Sequence, residues 1–305
     1  MKPAGMVRLG AELRSRRRGE GAAVIALVSI LATWPGSASG STIPRMVLER
    51  LGTDLLLHRV VRDGRVDYVR LERETAGLQR ALRLAADVTA EDLASRPAPA
   101  RLAFWINAYN LATLDLVSAE RRRREGRLRS VQEIPAAWSR PRWSIAGAKR
   151  TLDEIEHEVI RKEFREPRIH MALVCASVSC PSLRPDAFDA ERLERQLEEA
   201  SRDFVNDPAR NQFVPNGGRI RISKIFDWYG GDFVGAYRDT TLERLYGAKD
   251  AAVLSFALRY LPEPAGRVLR RERVGIDYLP YDWGLNDAAG SAGTRAAPAR
   301  GSKGR

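Results

Sequence analysis

Ile169-His170-Met171-Ala172-Leu173-Val174-Cys175-Ala176-Ser177-Val178-Ser179-Cys180-Pro181 carries both cysteines and one of the three histidines of a 305-residue chain. Its first half is a short apolar run, which predicts a buried strand. Its second half is small and polar and stops at a proline, which predicts a turn. A thiol at the tip of such a strand is held rigidly, as nucleophilic chemistry requires; a buried disulfide requires the same. The cysteines are five positions apart. That is too far for a bridge in an extended chain, because bridged Cα atoms sit about 4.4–6.8 Å apart, but a turn through Ala176–Ser179 brings them into range. His170 and Cys175 are also five apart and fall on opposite faces of a strand. This argues against His170, Cys175 and Cys180 as a metal-ligand set, and no metal or cofactor is expected.

Immediately upstream, Thr151 and Glu154 form a capping-box pattern that predicts a helix from Leu152 to Phe164, ended before Pro167. It carries Asp153, Glu154, Glu156, His157 and Glu158. A histidine among carboxylates is a candidate base with a raised pKa. On a regular helix Asp153 and Glu154 share the face of His157, whereas Glu156 diverges from it. A surface histidine in an acidic helix is the plainer reading.

Arg101 to Leu114 is apolar almost all round, which predicts a buried central helix. Asn107 and Asn110 lie on one face of it. Buried amides must find partners. They either bond to nearby loop backbone or orient a catalytic group or an oxyanion.

Elsewhere the pattern predicts helices over 43–62, 71–86 and 185–205, a short one opened by Thr89, and another over 251–260. Asp63-Gly64 predicts a turn followed by an extended Val66–Val69, and 142–147 predicts a strand. A hairpin is predicted over 213–223 around Asn216-Gly217, and a last strand folds back near 276–286. Together these give an α+β class: one helix-rich domain over 41–287 with a small, mostly antiparallel sheet.

The ends are different. A basic segment closing at Arg18, an apolar run over 22–32 and small residues at 36–40 predict an export signal cleaved near Ala38 or Gly40, or failing that an N-terminal anchor. Residues 288–305, rich in Gly, Ala and Arg, predict a disordered basic tail. The net charge of +12 is concentrated at these two ends, so the domain between them is mildly basic. A weak contact with an anionic surface fits that balance. Nucleic acid does not: Arg121–Arg124 lacks interleaved aromatics and reads as a solvated helix end. The location implied is periplasmic or secreted, where paired cysteines are readily oxidised.

Six blocks in order resemble the DUF547 family of uncharacterised domains: Phe104–Leu111, Leu152–His157, Ile169–Pro181, Leu183-Arg184-Pro185, Ser223–Tyr229 and Tyr281–Asn286. The resemblance spans about 45–287. It implies a fold distantly like that of papain or the transglutaminases and a Glu-His-Cys site, which here is Glu156, His157 and Cys180.

Three readings stand side by side. In the first, an exported enzyme uses Cys180 as nucleophile and His157 as base for acyl transfer or amide or peptide hydrolysis. Glu156 orients the histidine if the helix is irregular, and otherwise Asp153 or Glu154 does; Asn107 or Asn110 helps fix the oxyanion. In the second, a non-catalytic envelope domain contains a Cys175–Cys180 disulfide, and the aromatic segments 225–229 and 278–283 form core or a groove for a peptide or envelope ligand. The third, a thiol-redox protein, has against it that CxxxxC is not the CxxC spacing of redox thiols.

Overall fold

The hairpin turn at Asp63-Gly64 shows how this chain positions its parts. Both residues take positive φ, 49° and 75°, and join β1 (Val61–Arg62) to β2 (Arg65–Val66). A Cβ on Gly64 would lie 2.5 Å from the Cβ of Ser182, so only glycine lets the turn dock beside the cysteine segment. The computed structural model describes residues 45–140 and 143–293; the predicted signal segment, 1–40, and most of the predicted tail lie outside them. Ala288–Gly293, the described part of that tail, forms a short 3-10 helix rather than a disordered start.

Helix α1 (Arg45–Val60) precedes the hairpin. Asp67 then caps α2 (Tyr68–Arg73) by accepting from Arg70 N at 2.9 Å, so the extended piece predicted through Val69 ends at Asp67. Glu74 separates α2 from α3 (Thr75–Ala86), dividing the single helix predicted over 71–86. Thr89 opens α4 (Ala90–Ser95) as predicted, accepting from Asp92 N at 3.0 Å. Helix α5 (Ala98–Arg123) is buried along most of its length. Its Arg121 is not solvated as expected; it is buried against Glu72 at 3.1 Å and Asp287 at 3.4 Å, because its stem crosses core that a bare surface would leave wet.

Strands β3 (Trp143–Ile145) and β4 (Ala148–Arg150) form a second hairpin. After the predicted capping box, a π-helical turn (Glu154–Ile160) runs into α6 (Arg161–Phe164). Helix α7 (Leu193–Val205) begins well after Pro185. Residues 187–189 give their N–H groups to Asp54, Asn107 and Gln196 instead of to a helix. Strands β5 (Gln212–Asn216) and β6 (Arg219–Ile222) meet at Gly217-Gly218, both at positive φ as a type I′ turn requires.

Helices α8 (Lys224–Phe233), α9 (Thr240–Tyr246), α10 (Ala248–Leu258) and α11 (Glu263–Arg271) follow, and β7 (Gly275–Tyr278) returns parallel to β6. The class is helix-rich α+β. Among the described residues three separate sheets replace one small sheet, of two, two and three strands, and the largest contains a parallel pair. Apolar side chains gather in two clusters, one around α5 and one around α8, α10 and the three-stranded sheet. Among the described residues no helix is long and apolar enough to cross a membrane.

Candidate functional site

The apolar run 169–174 is buried, but it is not a strand. Pro167 and the Glu166 side chain, which accepts from Arg168 N at 3.0 Å, start a 3-10 helix over Pro167–Met171. The irregular backbone that follows is paired piecemeal. Asn110 donates to Ala172 O at 3.0 Å and accepts from Val174 N at 2.9 Å. Val178 N donates to Gly284 O at 2.8 Å, and Asn286 N to Ala176 O at 3.0 Å. Ala176 sits at φ 67°, a left-handed conformation that costs a non-glycine residue about 1 kcal/mol. This turn brings Cys175 and Cys180 together as a disulfide, Cα atoms 6.3 Å apart. Arg210 clamps the loop from outside, donating to Cys180 O at 2.8 Å and Val178 O at 3.2 Å.

The opposite wall comes from the π-helical turn. Widening the turn puts neighbours together that a regular helix separates, and the Glu156 carboxylate comes 3.9 Å from His157 Nδ1. That is beyond hydrogen-bond range, and the atom is already engaged: Arg161 Nη1 lies 3.1 Å from it. A guanidinium only donates, so Nδ1 accepts and the ring proton is on Nε2. Glu156 therefore does not orient His157. It faces Tyr109 and Tyr229, whose hydroxyls are held up by burial and by this carboxylate. Glu154 is used in the helix cap, accepting from Thr151 N at 2.9 Å. Burial and the nearby Glu156 raise Asp153, and His157 works against them.

Arg161 is itself gripped by Asp232 through two bonds of 2.7 and 2.8 Å, and His170 Nε2 meets the same carboxylate at 2.8 Å. His170 is buried and stacks on Tyr229, centroids 4.0 Å apart. Burial opposes ionisation of Asp232, but the bonds from His170 and Arg161 outweigh it and hold the carboxyl well below its ordinary value.

Between these walls is a cavity of about 210 Å³ where the two apolar clusters meet. Glu156, His157, His170, Cys175 and Cys180 all line it. The expectation that His170 and Cys175 point apart rested on strand alternation, and it fails because the segment turns. Much of the rest of the wall is aromatic, with Tyr109, Trp138, Tyr229 and a cluster in which Trp228 stacks on Trp283 at 5.8 Å and Tyr281 packs on Trp283 at 4.5 Å. Trp228 is 44% exposed at the rim. Two carboxylates, Asp153 and Glu156, line the cavity, with no lysine or arginine among its lining residues.

A family model described as a protein of unknown function, DUF547, matches residues 93–205. Residues 93–205 are a DUF547 domain. No curated protein and no solved structure matches the chain, so the papain- or transglutaminase-like architecture rests on the resemblance alone. The DUF547 match contains α5, the π-helical turn and the cysteine loop. The aromatic wall, from Trp228 to Trp283, comes from chain beyond it.

Asn107 and Asn110 stand apart from the cavity. Asn107 donates to Phe188 O at 2.8 Å and accepts from Phe188 N at 2.9 Å. Each amide thus pairs with a loop as a strand edge would. The sequence reading missed Arg161, Asp232, Ser177 and Trp138. Arg161 was within reach of it, since it stands four residues after His157 and shares its face. Asp232 was not, because only packing of α8 against the 3-10 turn brings it to His170. Among the described residues no cluster of His, Cys, Asp and Glu is arranged to hold a metal ion.

Proposed function

We propose that this domain binds a small organic cation, or the basic end of a peptide or envelope component, in the aromatic cavity, and that it does so without catalysis while Cys175 and Cys180 are bridged. One observation carries the reading: the cavity is walled largely by aromatic rings and lined by Asp153 and Glu156, with no lysine or arginine among its lining residues. The nearest guanidinium, Arg161, is committed to Asp232. Ring faces attract a cation by about 0.5–2 kcal/mol, and an unbalanced carboxylate in a half-enclosed site adds to that. The bridge supports an oxidising compartment, periplasmic or extracellular. The test is a tryptophan-fluorescence titration with choline and with its neutral isostere 3,3-dimethyl-1-butanol. Choline is expected to quench saturably, with an affinity at least ~10-fold above the isostere, about 1.4 kcal/mol. Equal binding of the two, or none by either, overturns the reading.

The second reading, cysteine-dependent acyl transfer or amide hydrolysis, draws on the same cavity, since Glu156, His157 and Cys180 all line it. Two features oppose it in the bridged form. Cys180 has no thiolate to offer, and the basic nitrogen of His157 is taken by Arg161. Turnover of fluorogenic peptide amides only after reduction, abolished by Cys180→Ala, would establish it.

A further inference from the structure

The bridge is flanked by more hydrogen-bond donors than a disulfide can use. Cys180 Sγ receives the backbone N–H of Cys175 at 3.0 Å and lies 3.2 Å from the Tyr281 hydroxyl. Ser177 Oγ donates to Tyr281 at 2.9 Å, which leaves the tyrosine's own proton directed at sulfur. Ser177 is itself 3.4 Å from the same sulfur, and both hydroxyls also reach Cys175 Sγ, at 3.2 and 3.3 Å, so the backbone N–H of Cys175 is what singles out Cys180. A neutral disulfide sulfur is a weak acceptor, whereas a thiolate is a strong one. Arg210, whose Nε donates to Cys180 O, is ion-paired with Asp207, so it braces the loop more than it adds charge to it. Glu156 and Asp153, which line the same cavity, oppose a thiolate; neither makes a direct contact with sulfur, and Glu156 faces Tyr109 and Tyr229. Burial holds the Tyr281 hydroxyl up to about 12, against the Ser177 bond and the Arg210 charge, so it remains a donor at neutral pH.

The two sulfurs also differ in access. Cys180 is 2% exposed, whereas Cys175 is half-buried on the cavity wall. We propose that the Cys175–Cys180 bridge is redox-active toward thiols, either small thiols or a cysteine of a partner peptide. The incoming thiolate attacks Cys175 Sγ from the cavity and the S–S bond breaks. The electron pair leaves on Cys180 Sγ, where the donors receive it, and a mixed disulfide is left on Cys175. A second thiolate then attacks the bound thiol's sulfur. Two thiols become one disulfide, their two protons pass to the released cysteines, and the protein takes up two electrons. This chemistry needs the bridge and its donors only, and does not depend on which ligand the cavity holds.

The test is equilibration of the folded protein in glutathione buffers of graded ratio, followed by acid quench, alkylation with N-ethylmaleimide and intact-mass analysis. Wild-type protein is expected to become reduced within the range these buffers span, and Cys180→Ser to accumulate one glutathione, on Cys175. Tyr281→Phe removes a thiolate donor and is expected to need at least ~3-fold more reduced glutathione for half reduction. Ser177→Ala is expected to shift the midpoint in the same direction and serves if Tyr281→Phe fails to fold. A bridge that stays oxidised at every ratio while circular dichroism shows a native fold is structural, and the proposal is then wrong. A midpoint that neither donor variant moves overturns it as well.

Discussion

The two larger cavities beside helix α5 treat charge in opposite ways. One, of about 170 Å³, is enclosed by α1, α3, α5 and the loop near Phe188. Most of its charged groups are paired: Arg96 with Glu49 at 2.9 Å and with the nearby Asp92 at 2.6 Å, and Arg50 with Asp189 at 2.8 Å. The other is the aromatic cavity, where Asp153 and Glu156 face space with no lysine or arginine alongside. A buried charge whose counter-ion is in the chain is part of the scaffold. A carboxylate left without one in an aromatic enclosure is poised for a cation from outside. Cavity size does not distinguish the two, but the charge balance does.

The largest effect expected on this contrast comes from Glu49→Ala. Arg96 is 5% exposed at its side chain, and it would keep only the more exposed Asp92. Urea unfolding should show a loss of about 3 kcal/mol, while the choline titration is unchanged; loss of choline binding would erase the distinction between the cavities. Next is Glu156→Gln, which should weaken choline binding ~10-fold, about 1.4 kcal/mol, and leave the neutral isostere where it was. Trp228→Ala should weaken choline by about 1 kcal/mol. Because the side chain also packs on Tyr281 and Trp283, stability should fall as well, by about 1 kcal/mol.

The smallest effect lies at acid pH. The folded-state pKa of Asp232 is depressed below its ordinary 3.8, so its contribution is present above that value and is lost as pH falls through the folded one. Chemical denaturation of Asp232→Asn below pH 4 should therefore show a shallower decline in stability than wild type. The same variant releases Arg161, whose guanidinium already feels the charge of Glu156. A modest loss of choline affinity at neutral pH would show that Asp232 keeps the cavity negative.

Local signals in this chain were read well where the deciding atoms are close in sequence. The capping box at Thr151 and Glu154 forms with both of its bonds, at 3.0 and 2.9 Å. The hairpin predicted around Asn216-Gly217 forms with its turn one residue later, at Gly217-Gly218, where both glycines take positive φ. The apolar run 101–114 is the buried middle of α5. The reading of 169–174 as a strand failed because its hydrogen bonds close a 3-10 turn on Glu166 and Ile169 and go to the side chain of Asn110, which is far away in the chain. Periodicity cannot distinguish a ladder from such scattered pairing.

What the sequence alone determined is the inventory: a helix-rich α+β chain, a rigid turn carrying both cysteines, a histidine among carboxylates and two late aromatic segments, all consequences of local propensity and burial. The tertiary structure alone decided how these parts combine. It closed the bridge between Cys175 and Cys180 and bound Arg161 to Asp232. It also put the Tyr281 hydroxyl against sulfur more than a hundred residues upstream. Whether a carboxylate is balanced or a sulfur is solvated depends on atoms within a few ångströms. In a folded chain those atoms come from any distance along the sequence.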